Sequence, residues 1–316
     1  MIVGCDNGYI AVCDSTSGRT VKTLSGHSDW VSSLCLSRDE KILVSGSRDK
    51  TVRLWDMESF SRIAAISSHN DWIRSVKISS DKKYVFGGSQ YGTIKVWTLA
   101  GECVRTLCSD GYHVNSIELF PDGKRLASAS ADYVIKLWDI EAGECTLTLK
   151  GHNDWVWSVT VSPDGSLVAS GSFDGTAKLW NSLTGKCVNT LNGHLKEVSA
   201  VAFTADGKHV ISGSWDKTVR VWGVVSGKCL RVIKDHSSVI AAIAKSPDGT
   251  CIASWSHDNA VVMYSPVPVV VSKFFLFQVW LVKETKKCKR IVMPRDAVRL
   301  IGYYMCLPFS AGKSDQ

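Results

Sequence analysis

The sequence predicts an all-β chain built from one repeated unit, and three observations carry that prediction. Trp55, Trp97, Trp138, Trp180 and Trp222 lie 42, 41, 42 and 42 residues apart, and Tyr264 continues the frame. A second series, Gly26-His27, Ser68-His69, Gly151-His152, Gly193-His194 and Asp235-His236, follows each preceding ring position by 14 residues, and Cys13 extends it backward. The segments between are short runs rich in β-branched residues, bounded by Gly, Asp and Ser, and none is long enough for a globular helix.

Taken in order, residues 1–24 supply three candidate strands, at Ile2-Val3, Tyr9 to Cys13 and Thr20 to Leu24. Five complete four-strand units follow. In the one spanning 194–233, Val198 to Phe203 leads to a turn at Ala205-Asp206-Gly207. Next come Val210 to Ser212, a tight turn at Trp215-Asp216-Lys217, Val219 to Trp222, a turn at Ser226-Gly227, and Cys229 to Ile233. A seventh unit begins at Val239 and loses the template after Ser265. The chain therefore divides into a repeat region, 1–265, and an apolar then basic tail, 266–316.

The motifs Gly-His, Ser-Pro-Asp-Gly (Ser162 to Gly165, Ser246 to Gly249) and Ser-Gly-Ser-x-Asp-x-Thr-x-x-x-Trp-Asp (Ser45 to Asp56) resemble those of the WD-repeat family, the β-transducin-like propellers. The resemblance covers residues 1–265 and implies four-stranded blades set radially around a channel. It implies seven blades, of which the first lacks its innermost strand and the last a recognisable outer one. It also implies a buried hydrogen-bonded tetrad, indole to Ser to His to Asp, at His27, Ser45, Asp49 and Trp55. The same tetrad recurs at His152, Ser170, Asp174 and Trp180, and at His194, Ser212, Asp216 and Trp222. Three blades depart from it: Gly87 and Tyr91 replace Ser and Asp, Asp110 stands in the His position, and Tyr264 replaces Trp, so these blades are expected to be softer. A hydrolase triad would present one exposed nucleophile, whereas this set recurs as a building element.

Residues that do not recur are candidates for binding. One slot, three residues after the His, holds Trp30, Trp72, His113, Trp155, Glu197 and Val239; a second, before the turn Asp, holds Arg48, Gln90, Ala131, Phe173, Trp215 and His257. In the family both open on one face. Trp30, Arg48, Trp72, Arg74, His113, Trp155, Trp157, Phe173, Glu197, Trp215 and His257 are accordingly the expected partner-binding residues, with the Trp and Arg content of interface hot spots. Trp255, in a strand slot that is Gly elsewhere, reads as packing.

Net charge is +7, but the tail holds nine Lys/Arg against three Asp/Glu, leaving the repeats with 28 against 27. The body thus has no general attraction for nucleic acid, and only the tail does. Eleven cysteines without a C-x-x-C pair point to free thiols in a reducing compartment. Cys103, Cys145, Cys187 and Cys229 recur on outer strands too far apart to bridge. The start, Met1 to Asp6, has no basic or apolar signal region, so a cytoplasmic or nuclear location is expected. In the tail, Val267 to Val271 is the expected missing outer strand. Its apolar run to Val282, with Pro268 and Lys273, is short for a bilayer span. No nucleotide-binding or metal-ligand motif occurs, and neither cofactor nor metal is expected. The expected function is a non-catalytic scaffold for one or more protein partners. A ribonucleoprotein component touching RNA through the tail, and an adaptor tethered to a membrane surface by the tail, are the alternatives.

Overall fold

In four of the repeats a Ser/Thr-x-Asp turn reverses the chain by its own side chains. The Ser162 hydroxyl donates to Asp164 (2.6 Å) and accepts the Leu167 amide (2.9 Å), while Gly165 takes φ +74°. Thr204 and Asp206 repeat the arrangement at 2.6 Å. The computed structural model describes residues 2–14, 19–67, 69–108, 111–245, 252–258, 260–264 and 289–292.

Among the described residues, 27 strands form seven antiparallel sheets. The first has three strands, β1 (Ile2–Gly4), β2 (Ile10–Cys13) and β3 (Thr20–Leu24). Four-stranded sheets follow: β4 (Val31–Leu36), β5 (Ile42–Ser47), β6 (Val52–Asp56), β7 (Ser61–Ile66); then β8 (Ile73–Ile78), β9 (Tyr84–Ser89), β10 (Thr93–Thr98), β11 (Cys103–Cys108). The fourth sheet is β12 (Val114–Leu119), β13 (Arg125–Ser130), β14 (Ile135–Asp139), β15 (Glu144–Leu149). The fifth is β16 (Val156–Val161), β17 (Leu167–Ser172), β18 (Ala177–Asn181), β19 (Cys187–Leu191). The sixth is β20 (Val198–Phe203), β21 (His209–Ser214), β22 (Val219–Gly223), β23 (Cys229–Ile233). The seventh is β24 (Ile240–Lys245), β25 (Ile252–Ser256), β26 (Ala260–Tyr264), β27 (Lys289–Val292). The result is a seven-bladed β-propeller with no helix among the described residues.

The core lies between blades. Val44, Val52 and Leu54 of the second sheet pack on Ile73, Val76 and Trp97 of the third, and Ala169, Ala177 and Leu179 of the fifth on Val198, Phe203 and Trp222 of the sixth. Close approach dictates the glycines: a Cβ on Gly46 would come 2.5 Å from Ile73 Cγ2, and one on Gly213 2.5 Å from Ile240 Cγ2. Trp255 holds the same register position in β25 and is only 2% exposed.

Every innermost strand carries a bulge near its start, as at Val31/Ser33, Ile73/Ser75 and Val156/Ser158. The bulge frees polar side chains to join neighbouring inner strands. Ser33, Ser75, Ser116 and Ser158 accept the amides of Val76, Ile117, Val159 and Val201 in the next blade at 3.0–3.4 Å. Asn115 donates to the Val156 carbonyl and Ser199 to that of Ile240, at 2.9 and 2.6 Å.

The tetrads form as the resemblance implied. Trp180 Nε1 donates to Ser170 Oγ at 2.8 Å, Ser170 Oγ meets His152 Nε2 at 2.7 Å, and His152 Nδ1 meets Asp174 at 2.7 Å. The sets at Trp55 and Trp222 match these distances within 0.2 Å. With the carboxylate accepting from Nδ1–H, Nε2 carries the lone pair and the serine hydroxyl donates to it. Burial alone would raise the carboxyls of Asp49, Asp174 and Asp216, but hydrogen bonds from the His and a Thr hold all three well below the usual range.

The three departing blades solve the same problem differently. In the third, His69 Nε2 donates to the Gly87 carbonyl at 3.1 Å, and a Cβ on Gly87 would strike the Trp97 ring at 2.8 Å. In the fourth, Trp138 Nε1 still donates to Ser128 at 2.8 Å, while Asp110 lies outside the described residues. In the seventh, His236 keeps Ser254 at 2.7 Å but meets Asp258 at 3.2 Å, and the Tyr264 side chain lies outside the description.

The outer strand of the seventh sheet differs from expectation. Lys289–Val292 pairs with β26, and residues 267–271 lie outside the described residues. Outer strands here are largely solvated, as in Cys103–Cys108 and Cys229–Ile233, so a Lys-Arg-Ile-Val run suits the position. Val267 to Val271, by contrast, contains Pro268, which has no N–H to offer a ladder. Cys103, Cys145, Cys187 and Cys229 are exposed and unbridged on their outer strands.

Two outcomes follow from this packing. Trp180→Ala should cost about 3–5 kcal/mol by opening a cavity and unpairing Ser170 and His152, whereas Trp30→Ala, at a half-buried position, should cost about 1 kcal/mol; thermal melts of the two variants check the difference. The buried His69 imidazole is pushed down to about 4. The folded chain then takes up that proton later than the unfolded chain, so stability is full above about pH 6.5 and falls from there toward about pH 4. Melting temperature should drop from pH 7 to pH 5 in the wild type and drop less in His69→Gln; equal drops would remove His69 as a cause.

Candidate interaction face

The two non-recurring slots of each blade are joined by backbone. The amides of Arg48, Gln90, Ala131, Phe173, Trp215 and His257 donate to the carbonyls of Trp30, Trp72, His113, Trp155, Glu197 and Val239 at 2.9–3.1 Å. Side chains fix the loop before them. Asp29 and Asp154 accept the amides of Trp30 and Trp155 at 2.7 Å, and the hydroxyls of Ser47 and Ser172 donate to the Asp29 and Asp154 carbonyls at 2.8 and 3.0 Å. Arg74 and Trp157 come from a third position, the extra residue of the inner-strand bulge, which re-aims a side chain that regular pairing would place in the blade.

These positions converge in two groups. Arg48 is held between two indoles, its Cζ 3.9 Å from the Trp30 ring centroid and 4.4 Å from that of Trp72, which ties the second blade to the third. The second group runs from the third blade to the sixth. Arg74 Nη1 donates to Gln90 Oε1 at 3.2 Å and lies 3.5 Å from His113 Nδ1, with its Cζ 5.3 Å from the Trp157 ring. His113 meets Trp155 edge-on at 5.9 Å. Phe173 stacks on Trp155 at 6.0 Å and Trp157 at 4.8 Å and contacts Trp215 at 5.2 Å.

All eleven expected residues are half-buried, although the slots were expected to open on one face; within the two groups the rings cover one another. Glu197 and His257 join neither group through a side-chain contact between them and the rings; His257 Nε2 and Trp215 Nε1 have no hydrogen-bond partner among the described residues. Burial, with the charge of Arg74, lowers the His113 imidazole below its ordinary value, which favours the neutral ring that accepts from Arg74. Gln90 was present in the second slot and passed over. Its role shows only once Arg74 is seen reaching it, since no spacing rule links a bulge residue to the turn beside it.

The arrangement offers flat aromatic surface, two guanidinium groups and little else. Ser45, Ser170 and Ser212 are fully enclosed, each already receiving an indole N–H, so none is presented to a substrate. No group of three His, Cys, Asp or Glu among the described residues is placed to hold a metal, and no described helix is long and apolar enough to cross a membrane.

The sequence matches the family model described as "WD domain, G-beta repeat" at residues 18–56, 60–98, 101–139, 143–181, 185–223 and 227–265. It is similar to nuclear distribution protein PAC1-2 of Uncinocarpus reesii, 29% identical over 156 residues, which is 42% of this chain and 34% of that protein. It is 50% identical over 52 residues to periodic tryptophan protein 2 homolog of Mus musculus, 16% of this chain and 6% of that one. With small ribosomal subunit protein RACK1 of Caenorhabditis elegans it shares 50% identity over 40 residues, 13% of this chain and 12% of that one. The chain thus spans about a third of the length of the first of these relatives and far less of the other two.

Proposed function

The chain belongs to the WD domain, G-beta repeat family, and on that premise we propose that it is a non-catalytic scaffold that binds one or more protein partners on the face bearing the aromatic belt. Proteins of this family are generally interaction scaffolds, and the finer reading concerns where and how this one binds. A single observation carries it: Trp155, Trp157, Phe173 and Trp215 break the repeat pattern, yet contact one another across two adjacent blades. A blade does not need these rings, because its core is closed by the buried series at Trp55, Trp97, Trp138, Trp180 and Trp222. Half-buried rings pre-stacked in this way offer large contact area at small cost in side-chain entropy, and Arg48 and Arg74 add direction through their N–H groups.

The partner segment that fits is a peptide with apolar or aromatic side chains and an acidic or carbonyl acceptor. Trp30, Trp72, His113, Glu197 and His257 border its path. The domain organisation that goes with this reading is a repeat region, 1–265, that binds, and a tail, 266–316, that returns one strand to the seventh sheet. The working compartment is the cytoplasm or nucleus. An RNA-directed reading draws on the tail's charge and on the ribosomal name of one relative. Lys289 and Arg290, however, sit in the outer strand β27, and the rest of the tail lies outside the described residues.

Alanine at Trp155 or Trp215 should weaken partner binding by roughly 30-fold, about 2 kcal/mol, while lowering the melting temperature far less than Trp180→Ala. Affinity capture from cell extract with mass spectrometry, comparing wild type with the Trp155→Ala/Trp215→Ala double variant, identifies the partners that depend on the belt. Exchange at Glu141 and Glu144, exposed beyond the turn after Trp138, should leave the same partners bound. If capture is equal with both proteins, the rings are packing residues and the partner lies elsewhere.

A further inference from the structure

The sixth blade carries a cavity of about 340 Å³ lined by Leu195, Asp216, Lys217, Thr218, Arg220, Lys234 and His236. Three of its linings are cations, and they come from three different elements. Lys217 is in the turn between β21 and β22, Arg220 is on β22, and Lys234 directly follows β23. Its one carboxylate is already engaged: Asp216 accepts from His194 and the Leu195 amide on one oxygen, and from the Thr218 amide and hydroxyl on the other. Those bonds keep Asp216 ionised but directed at its own loop, and the lining holds three cations against this one anion.

The arginine is held in place beforehand. Its Cζ lies 5.9 Å from the Trp222 ring centroid, and Gly193 leaves room for the guanidinium, since a Cβ there would meet Nη1 at 2.6 Å. Arg220 Nε is buried with no hydrogen-bond partner among the described residues, an orphan donor of the kind that an anion satisfies. No other blade has all three cations: the second keeps Lys50 and an Arg53 that is likewise packed on a glycine with a buried orphan N–H, but lacks the third, and the fourth has Lys150 but Tyr133 in the turn. The turn position of Lys217 is Lys50, Gly92, Tyr133 or Gly175 elsewhere, all at positive φ, and the position of Lys234 is Ser67 in the second blade.

We infer that this cavity is a binding site for a phosphate monoester dianion, supplied either as the free ion or on a phosphorylated side chain of a bound polypeptide. A planar guanidinium fork with two flexible ammonium groups matches a tetrahedral dianion with three exposed oxygens. The extent of the charge argues for a single dianion. The repeats carry 28 Lys/Arg against 27 Asp/Glu overall, so they have no net charge of the sort that draws a nucleic-acid backbone in general. The site is separate from the aromatic belt in what it recognises, although Lys217 lies two residues beyond Trp215 in the same turn.

The test uses the full chain and calorimetry at low ionic strength, with inorganic phosphate, a short phosphoserine peptide, its unphosphorylated form and a single-stranded oligonucleotide as probes. Wild type should bind phosphate or the phosphopeptide and not the unphosphorylated peptide; which of the two binds more tightly tells the free ion from the side chain. Lys217→Gly with Lys234→Ser, residues that other blades use at these places, should weaken binding by about tenfold or more without lowering the melting temperature, because both lysines are exposed and glycine suits the positive φ of the turn. Arg220→Gln should weaken binding as much, and Arg53→Gln in the second blade should leave it unchanged. Trp155→Ala should leave phosphate binding intact, so loss of the aromatic site and loss of this one read out separately. Absence of binding by either phosphate probe overturns the proposal. So does binding that survives the double lysine change, or an oligonucleotide that binds more tightly with the same dependence on both lysines.

Discussion

Each complete blade hangs on one serine hydroxyl. Ser45, Ser170 and Ser212 lie midway along a second strand, fully enclosed, and each joins an indole on the third strand to an imidazole on the loop before the first. The imidazole passes the link to an aspartate in the turn between the second and third strands. One atom thus sets the spacing of four pieces of chain. A polar chain this deep is stable only when every member is satisfied, which explains why the third blade, lacking the serine, has glycine there and a histidine turned to a carbonyl rather than a half-made set.

Between blades a different device operates. Bulged inner strands place serines against the amides of the next inner strand, while β-branched side chains of that strand seat on glycines of the preceding sheet. The same bulge that provides these links also delivers Arg74 and Trp157 to the aromatic belt. Scaffold and candidate site therefore share a local geometry, and they differ only in which side chain occupies it.

Much of this was legible because periodicity leaves a frame. The Trp series gives the register of every third strand, and the His series locates the loop that must reach it, so tetrads and slots could be numbered before any coordinate. Contacts across blades were less legible. That Arg48 would lie between Trp30 and Trp72, or that Arg74 would reach Gln90, depends on rotamers and on a bulge that hydrophobic pattern does not mark. Slot position in the repeat marks these residues as facing outward, and ring stacking, which the pattern does not encode, half-buries them. The outer strand at Lys289–Val292 escaped notice because solvated edge strands carry almost no apolar signal. The basic cavity of the sixth blade escaped because its three cations are scattered over a turn, a strand and a loop.

The described first sheet contributes three strands, so the inner-strand series starts at β4 and stops at β24. Sheets that pack chiefly on their sequence neighbours, as the inner strands do here, have energetics governed by nearest-neighbour coupling. Local opening should be cheapest where the described sheet lacks an inner strand, giving a gradient of amide-exchange protection that rises toward the fourth and fifth sheets. The belt from Trp30 to Trp215 sits on the second to sixth sheets, all of which have neighbours on both sides. Fluctuations at either end can then be absorbed by the first and seventh sheets, leaving the stacked rings in register.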